Sequence, residues 1–190
     1  MVRWKAIYAF GKVVAEIAEV EPERARIVIR RLMWMLNEES GSMPWGVPEG
    51  FAEALYNSPL LRNEYRWIFV SYIWEDSGNF LEFPPAQRGV VWGIGRLAEK
   101  FSPMLWETRA PYHLKKLLEK TSDPAVAFLG VWAFSRIKHF PEDFPYPQKL
   151  LHGILSRLLQ ENFSYLMFDG KEICIKTAKE LAKEVNLNYI

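Results

Sequence analysis

One short pattern recurs four times in this chain, and its spacing constrains the fold more than any other feature. The copies are Tyr8-Ala9-Phe10-Gly11-Lys12-Val13, Glu49-Gly50-Phe51-Ala52-Glu53-Ala54, Trp92-Gly93-Ile94-Gly95-Arg96-Leu97 and Trp132-Ala133-Phe134-Ser135-Arg136-Ile137. Each is an apolar helical stretch with a small second residue: Ala9, Gly50, Gly93 and Ala133, spaced 41, 43 and 40 residues apart. Glycine inside a helix costs about 1 kcal/mol relative to alanine, so helices that keep Gly50, Gly93 and Gly95 need a compensating close contact. Stacking on the equivalent helix one period away supplies it. A period of about 40 residues is the length of one two-helix unit, whereas a four-helix bundle requires no period of this kind. The expected fold is all-α, an α-α superhelix of about four stacked helix pairs.

The punctuation between the copies agrees. Glu21-Pro22 opens a segment over 22–36, and Asp123-Pro124 opens the fourth first-helix, each with proline at the first helical position. Ser102-Pro103 opens a segment predicted over 103–118, with Ser102 as N-cap. Segments 60–74 and 146–160 supply the remaining second helices; Leu151, Ile154, Leu155, Leu158 and Leu159 recur there at helical spacing. After Glu161 the pattern changes. Phe163–Phe168 and Lys171–Lys176 flank Asp169-Gly170, a two-residue hairpin signal, and Thr177 with Glu180 forms a capping box before Leu181, Ala182 and Val185. The chain therefore divides into a helical repeat domain over 1–161 and a hairpin-plus-helix cap over 162–190. An isolated hairpin is marginal in water, so this one is expected to pack on the last repeat.

The stretch Trp45-Gly46-Val47-Pro48-Glu49-Gly50-Phe51-Ala52-Glu53-Ala54-Leu55 resembles the HEAT-like repeats of phycobilisome lyases, whose first helix runs Trp-x-Val-Arg-x-Ala-Ala-x-Ala-Leu. Residues 2–13 and 128–137 are similar but weaker. The resemblance implies the helical-pair solenoid and a general binding role. Its motif records packing rather than chemistry, Pro48 stands where the family has arginine, and no catalytic residue or bilin site is carried over.

Composition bounds the function classes. Lys plus Arg at 24 against Asp plus Glu at 23 leaves no global field to draw the protein to nucleic acid or an anionic membrane. The single cysteine, Cys174, and the absence of Cys/His clusters at zinc spacing point to a reducing cytoplasm, with no metal and no cofactor. The N-terminus reads as a mature helix, and no apolar run approaches the roughly 20 residues that cross a bilayer. Nucleophile triads and dinucleotide or P-loop fingerprints are missing, and His113, His139 and His152 are far apart in the repeat plan. No catalytic residue is assigned.

Two features remain as candidate sites. The first is a duplicated loop, Glu38-Glu39-Ser40-Gly41-Ser42-Met43 and Glu75-Asp76-Ser77-Gly78-Asn79-Phe80, with Gly41 and Gly78 fitting left-handed helix C-caps. Each continues into a proline- and aromatic-rich segment that presents side chains at low entropic cost. The second is a charge ladder at one repeat position, Lys12, Glu53, Arg96 and Arg136, which Glu53 interrupts. Together they suggest a non-enzymatic scaffold or adaptor that grips a protein partner through a loop ridge or the concave face. The partner-binding residues would be Trp45, Glu49, Phe80, Glu82, Arg88, Trp92 and Arg96. The alternatives are a nucleic-acid-binding or enzymatic use of the scaffold, in the manner of helical-repeat DNA glycosylases or lyases, and self-association through the aromatics into a homo-oligomer.

Overall fold

The structure is a computed structural model and describes residues 1–38 and 45–186. Eight helices come first: α1 (Val2–Val20), α2 (Pro22–Leu36), α3 (Val47–Asn57), α4 (Pro59–Ser71), α5 (Pro84–Glu107), α6 (Ala110–Lys120), α7 (Pro124–Arg136) and α8 (Gln148–Gln160). An antiparallel hairpin, β1 (Ser164–Phe168) and β2 (Ile173–Thr177), and a short helix α9 (Ala178–Asn186) follow. None of the described helices is long and apolar enough to cross a membrane.

The odd helices pack in a row, α1 on α3, α3 on α5 and α5 on α7, and α2, α4, α6 and α8 each pack on the odd helix before them. Residue pattern explains the division. α7 buries every residue from Ala125 to Phe134, as a helix surrounded by others must. α2 buries only the stripe Ala25, Ile29, Leu32 and Leu36 and gives its remaining surface to arginines and solvent. Ser58 and Asp123 cap α4 and α7 by accepting from the backbone N–H groups of Leu61 and Val126, worth about 1 kcal/mol each.

Small residues set the spacing of the row. A Cβ on Gly93 would lie 2.6 Å from the Ala52 Cβ, and one on Gly95 would lie 2.3 Å from the Trp132 ring. Gly50 meets Phe10, as the close-approach argument requires. In the first copy the phase differs: Ala9 is exposed, and the contact belongs to Gly11, whose Cβ would fall 2.3 Å from that of Glu53.

Three other expectations are corrected. The predicted helix over 103–118 is two: α5 continues through a kink at Phe101 to Glu107, and α6 begins after Arg109, whose φ of 56° turns the chain. Phe101 is non-helical, so a helical segment does start at Ser102-Pro103 as expected; it ends at Glu107 instead of running on to 118. Gly78 is not a left-handed cap; among the described glycines that conformation belongs to Gly46 and Gly170. Gly41 and the rest of the first loop copy from Glu39 to Pro44 lie outside the described residues. The hairpin connection has four residues, 169–172, because Asp169 Oδ1 accepts from the N–H groups of both Lys171 and Glu172, and Phe168 therefore pairs with Ile173.

The hairpin also reaches further than a cap on the last pair. α9 packs on α7 and α8, but Trp4 of α1 donates its indole N–H to Leu166 O at 3.1 Å, and Trp92 of α5 donates to Phe168 O at 2.7 Å. β1 thus lies along the row with its outer carbonyls satisfied by two tryptophans. The Thr177–Glu180 capping box is present as predicted, with Glu180 accepting from the Thr177 N–H.

Candidate binding cleft

The charge ladder assembles beside the hairpin. Glu53, wholly buried, accepts from Arg96 Nε at 2.6 Å and from Asn57 Nδ2 at 3.2 Å. Arg96 also bonds Glu99, whose other oxygen takes Arg136 at 2.6 Å, and Arg136 donates its second nitrogen to Asp169 O at 2.8 Å. The network is balanced, two carboxylates against two guanidinium groups, and it ties α3, α5, α7 and the hairpin turn together. Burial raises the Glu53 carboxyl above the ordinary carboxylate range, and Arg96 pulls against it. Burial works against the Arg96 charge as well, but Glu53 and Glu99 outweigh it, so the guanidinium is held above its ordinary value. The residue that seemed to break the ladder is the counter-ion that lets Arg96 enter the core.

Above this network opens a cleft of about 650 Å³ between α1, the end of α3, α5 and the turn. Its apolar wall is Trp4, Tyr8, Tyr56, Phe168 and Ile173, and its rim carries Lys5, Lys12, Lys100 and Lys171 with Glu172 as the opposing charge. Among the described residues no carboxylate lies within salt-bridge distance of those four lysines. Two of them lean on aromatic faces instead, Lys12 Nζ 4.6 Å from the Tyr8 ring centroid and Lys100 Nζ 4.7 Å from that of Tyr56. The Tyr8 side chain holds the Lys12 pKa above the ordinary lysine value. Arg96 lies 3.5 Å over the opposite partner, the Tyr56 ring, and forms the cleft floor. The arrangement offers four cations on an aromatic bed, which suits an anionic group attached to an apolar or planar body.

Of the ridge residues predicted from sequence, only Arg96 lines this cleft. Trp45 and Glu82 are exposed and Phe80 is half-buried. Glu49 and Trp92 are buried, Glu49 with its pKa raised by burial against the pull of its own backbone N–H and of Arg3. Arg88 is spent on Asp123, with Nε 3.1 Å from Oδ1, and ties the start of α5 to the cap of α7. The second loop copy is a staple rather than a ridge: Ser77 Oγ donates to Ser71 O at 2.6 Å, and Lys120 meets Glu75 at 2.5 Å. Sequence reading missed Lys5, Tyr56, Lys100 and Lys171, which lie outside the recurring six-residue pattern; only the fold brings the turn to α1. Lys12 was visible as a ladder position.

No family model matches the chain, and no solved structure matches it. Over 187 residues it is 27% identical to an uncharacterized protein of Archaeoglobus fulgidus, a match that covers 97% of this chain and 87% of the relative. The aligned stretch spans helices and hairpin alike.

Proposed function

We propose that this protein is a HEAT-like helical-pair solenoid acting as a non-enzymatic adaptor, which holds an acidic segment of a protein partner in the lysine-rimmed cleft on its inner face. The solenoid reading draws support from the row of odd helices, each backed by its even partner, and from small residues at a period of about 40 residues. The binding reading rests on one observation: among the described residues the four cleft lysines have no carboxylate within salt-bridge distance, although ion pairs are plentiful elsewhere in the fold. An anionic occupant completes them. The Glu53–Arg96–Glu99–Arg136 network pairs its two carboxylates with its two guanidinium groups, so it shapes the floor of the cleft. A cytoplasmic setting, with Cys174 kept reduced, goes with this reading.

Single-stranded nucleic acid is the second reading, because Tyr8 and Tyr56 lie beside Lys12 and Lys100 and bases stack on such rings. Fluorescence anisotropy with a labelled glutamate-rich peptide separates the two. The adaptor reading expects binding that weakens with added salt and with Lys12→Ala plus Lys100→Ala, and that an unlabelled oligonucleotide fails to displace. Absence of peptide binding at low salt, or binding that the double substitution leaves unchanged, overturns it.

A further inference from the structure

The hairpin has one closed edge and one open edge. Asp169 N–H donates to Glu172 O at 3.0 Å, which makes that pair a hydrogen-bonded one. Bonded and non-bonded pairs alternate along an antiparallel ladder, so Leu166 and Phe168 on β1, and Ile173 and Ile175 on β2, turn their backbone groups outward. On β1 the outward carbonyls meet Trp4 and Trp92. On β2 the outward N–H and C=O groups of Ile173 and Ile175 have no hydrogen-bond partner among the described residues, and the open stretch ends at Thr177, whose N–H is taken by Glu180. The same strand carries Ile175, 64% exposed, directly across from Leu166, 40% exposed. An unpaired strand edge with an apolar face is a template for another strand.

We propose that the occupant is β2 of a second copy of this chain, paired antiparallel about a twofold axis at Cys174, which joins two hairpins into a four-stranded sheet. The strand's own sequence carries the argument. In Lys171-Glu172-Ile173-Cys174-Ile175-Lys176, inversion about Cys174 sets Ile173 opposite Ile175, apolar on apolar, and Glu172 opposite Lys176, where it adds a second acid to an ammonium already held by Glu184. The outward groups of Ile173 in one copy then exchange bonds with those of Ile175 in the other, the pattern an antiparallel ladder needs. Centring the axis on Ile173 or on Ile175 also aligns outward groups, but it sets neither Glu172 opposite Lys176 nor isoleucine opposite isoleucine on both sides of the axis. Such an interface is isologous and closes at two copies, since each chain offers one such edge and uses it once. It meets the cleft rim at Glu172 and Ile173, while Cys174, Ile175 and Lys176 lie outside it, and its test reads the mass of the particle and not what the cleft holds.

Light scattering from micromolar to millimolar concentration, together with cross-linking, tests this. The mass should rise from 22.2 kDa toward twice that value. Ile175→Lys, which brings new cations together at the axis, and Ile175→Pro, which removes one outward N–H while sparing the bonds to β1, should each restore the monomer mass. Circular dichroism of both variants should remain that of the parent, as should their thermal unfolding at concentrations where the parent is monomeric. Cys174 faces its own copy as a non-hydrogen-bonded pair, with Cα atoms about 4.5 Å apart, inside the range a disulfide spans. A mild added oxidant, accepting two electrons as the two thiols lose two protons, should therefore lock the parent as a reducible dimer and leave Ile175→Pro monomeric. A single 22.2 kDa species at every concentration overturns the proposal. So does a dimer that both substitutions leave intact, or one that forms no Cys174 cross-link.

Discussion

Replacing Arg96 by methionine tests the account of the core most directly. The methionine keeps much of the arginine's apolar length but removes the bond to Glu53 Oε1, the bond to Glu99 and the stacking on Tyr56. Glu53 is then a fully buried carboxylate left with Asn57 Nδ2 at 3.2 Å as its named side-chain partner. Breaking a buried pair by removing one member costs about 3–5 kcal/mol, because the remaining charge stays out of water. At about 2–4 °C per kcal/mol for a chain of this size, the melting temperature should fall by roughly 6–20 °C. Urea unfolding at neutral pH, followed by circular dichroism and tryptophan fluorescence together, measures the loss and checks that the transition is two-state. The penalty should shrink as the pH is lowered. Loss of Arg96 raises the Glu53 pKa in the folded state further above its unfolded value, so the folded variant takes up a proton first and sheds the buried charge. The double variant Glu53→Met, Arg96→Met removes both charges and should recover most of the loss, leaving Glu99 to Arg136. A cost below about 1 kcal/mol for Arg96→Met, the size expected of a surface pair, would refute the reasoning.

Three further outcomes follow from contacts already described. Trp92→Phe leaves the buried Phe168 carbonyl without its indole donor and should cost about 1–3 kcal/mol in chemical denaturation, with faster amide exchange in β1 than in α2. Gly11→Ala places a methyl 2.3 Å from the Glu53 Cβ and 2.7 Å from its backbone carbon, so α1 must move off α3; a loss of about 1–3 kcal/mol is expected in the same assay. Asp123 supplies an acid-side pH dependence. Burial works to raise its pKa, but Arg88 and the N–H groups of Val126 and Ala125 outweigh it, so the folded value lies below the usual carboxylate range. Its contribution is complete above the unfolded value of about 3.9 and is lost as the pH falls through the lower folded value. Asp123→Asn should flatten that part of the stability curve below about pH 4.

The helices were legible because their stop and start signals are local. Glu21-Pro22 and Asp123-Pro124 mark α2 and α7 to the residue, and the capping box at Thr177 needs only its own neighbour at Glu180. Ser102-Pro103 marks the break at Phe101, but Ser102 Oγ donates to Ala98 O, one turn back, instead of capping the segment that follows, and the second break falls at Arg109, a non-glycine residue with positive φ. Gly78 misled because a glycine in a polar loop need not adopt the left-handed conformation a cap requires. The cleft was the least legible part. Lys12 and Arg96 share a repeat position and could be aligned by counting, whereas Lys171 meets them only because two tryptophans draw β1 back across the row. Partners separated by 162 residues, as Trp4 and Leu166 are, leave no trace in periodicity.

That long tie alters how the molecule must come together. Stacked helix pairs that touch only their neighbours can form a pair at a time, each new pair building on the last. Here the indole of Trp4 waits for a strand made after α8, and Trp92 waits for the same strand. Until it arrives, the inner faces of α1 and α5 are open to water and to other chains, and the cleft has no far wall. The cleft therefore forms last, and a chain cut after α8 should keep much of its helix yet lose the cleft and gain a tendency to aggregate.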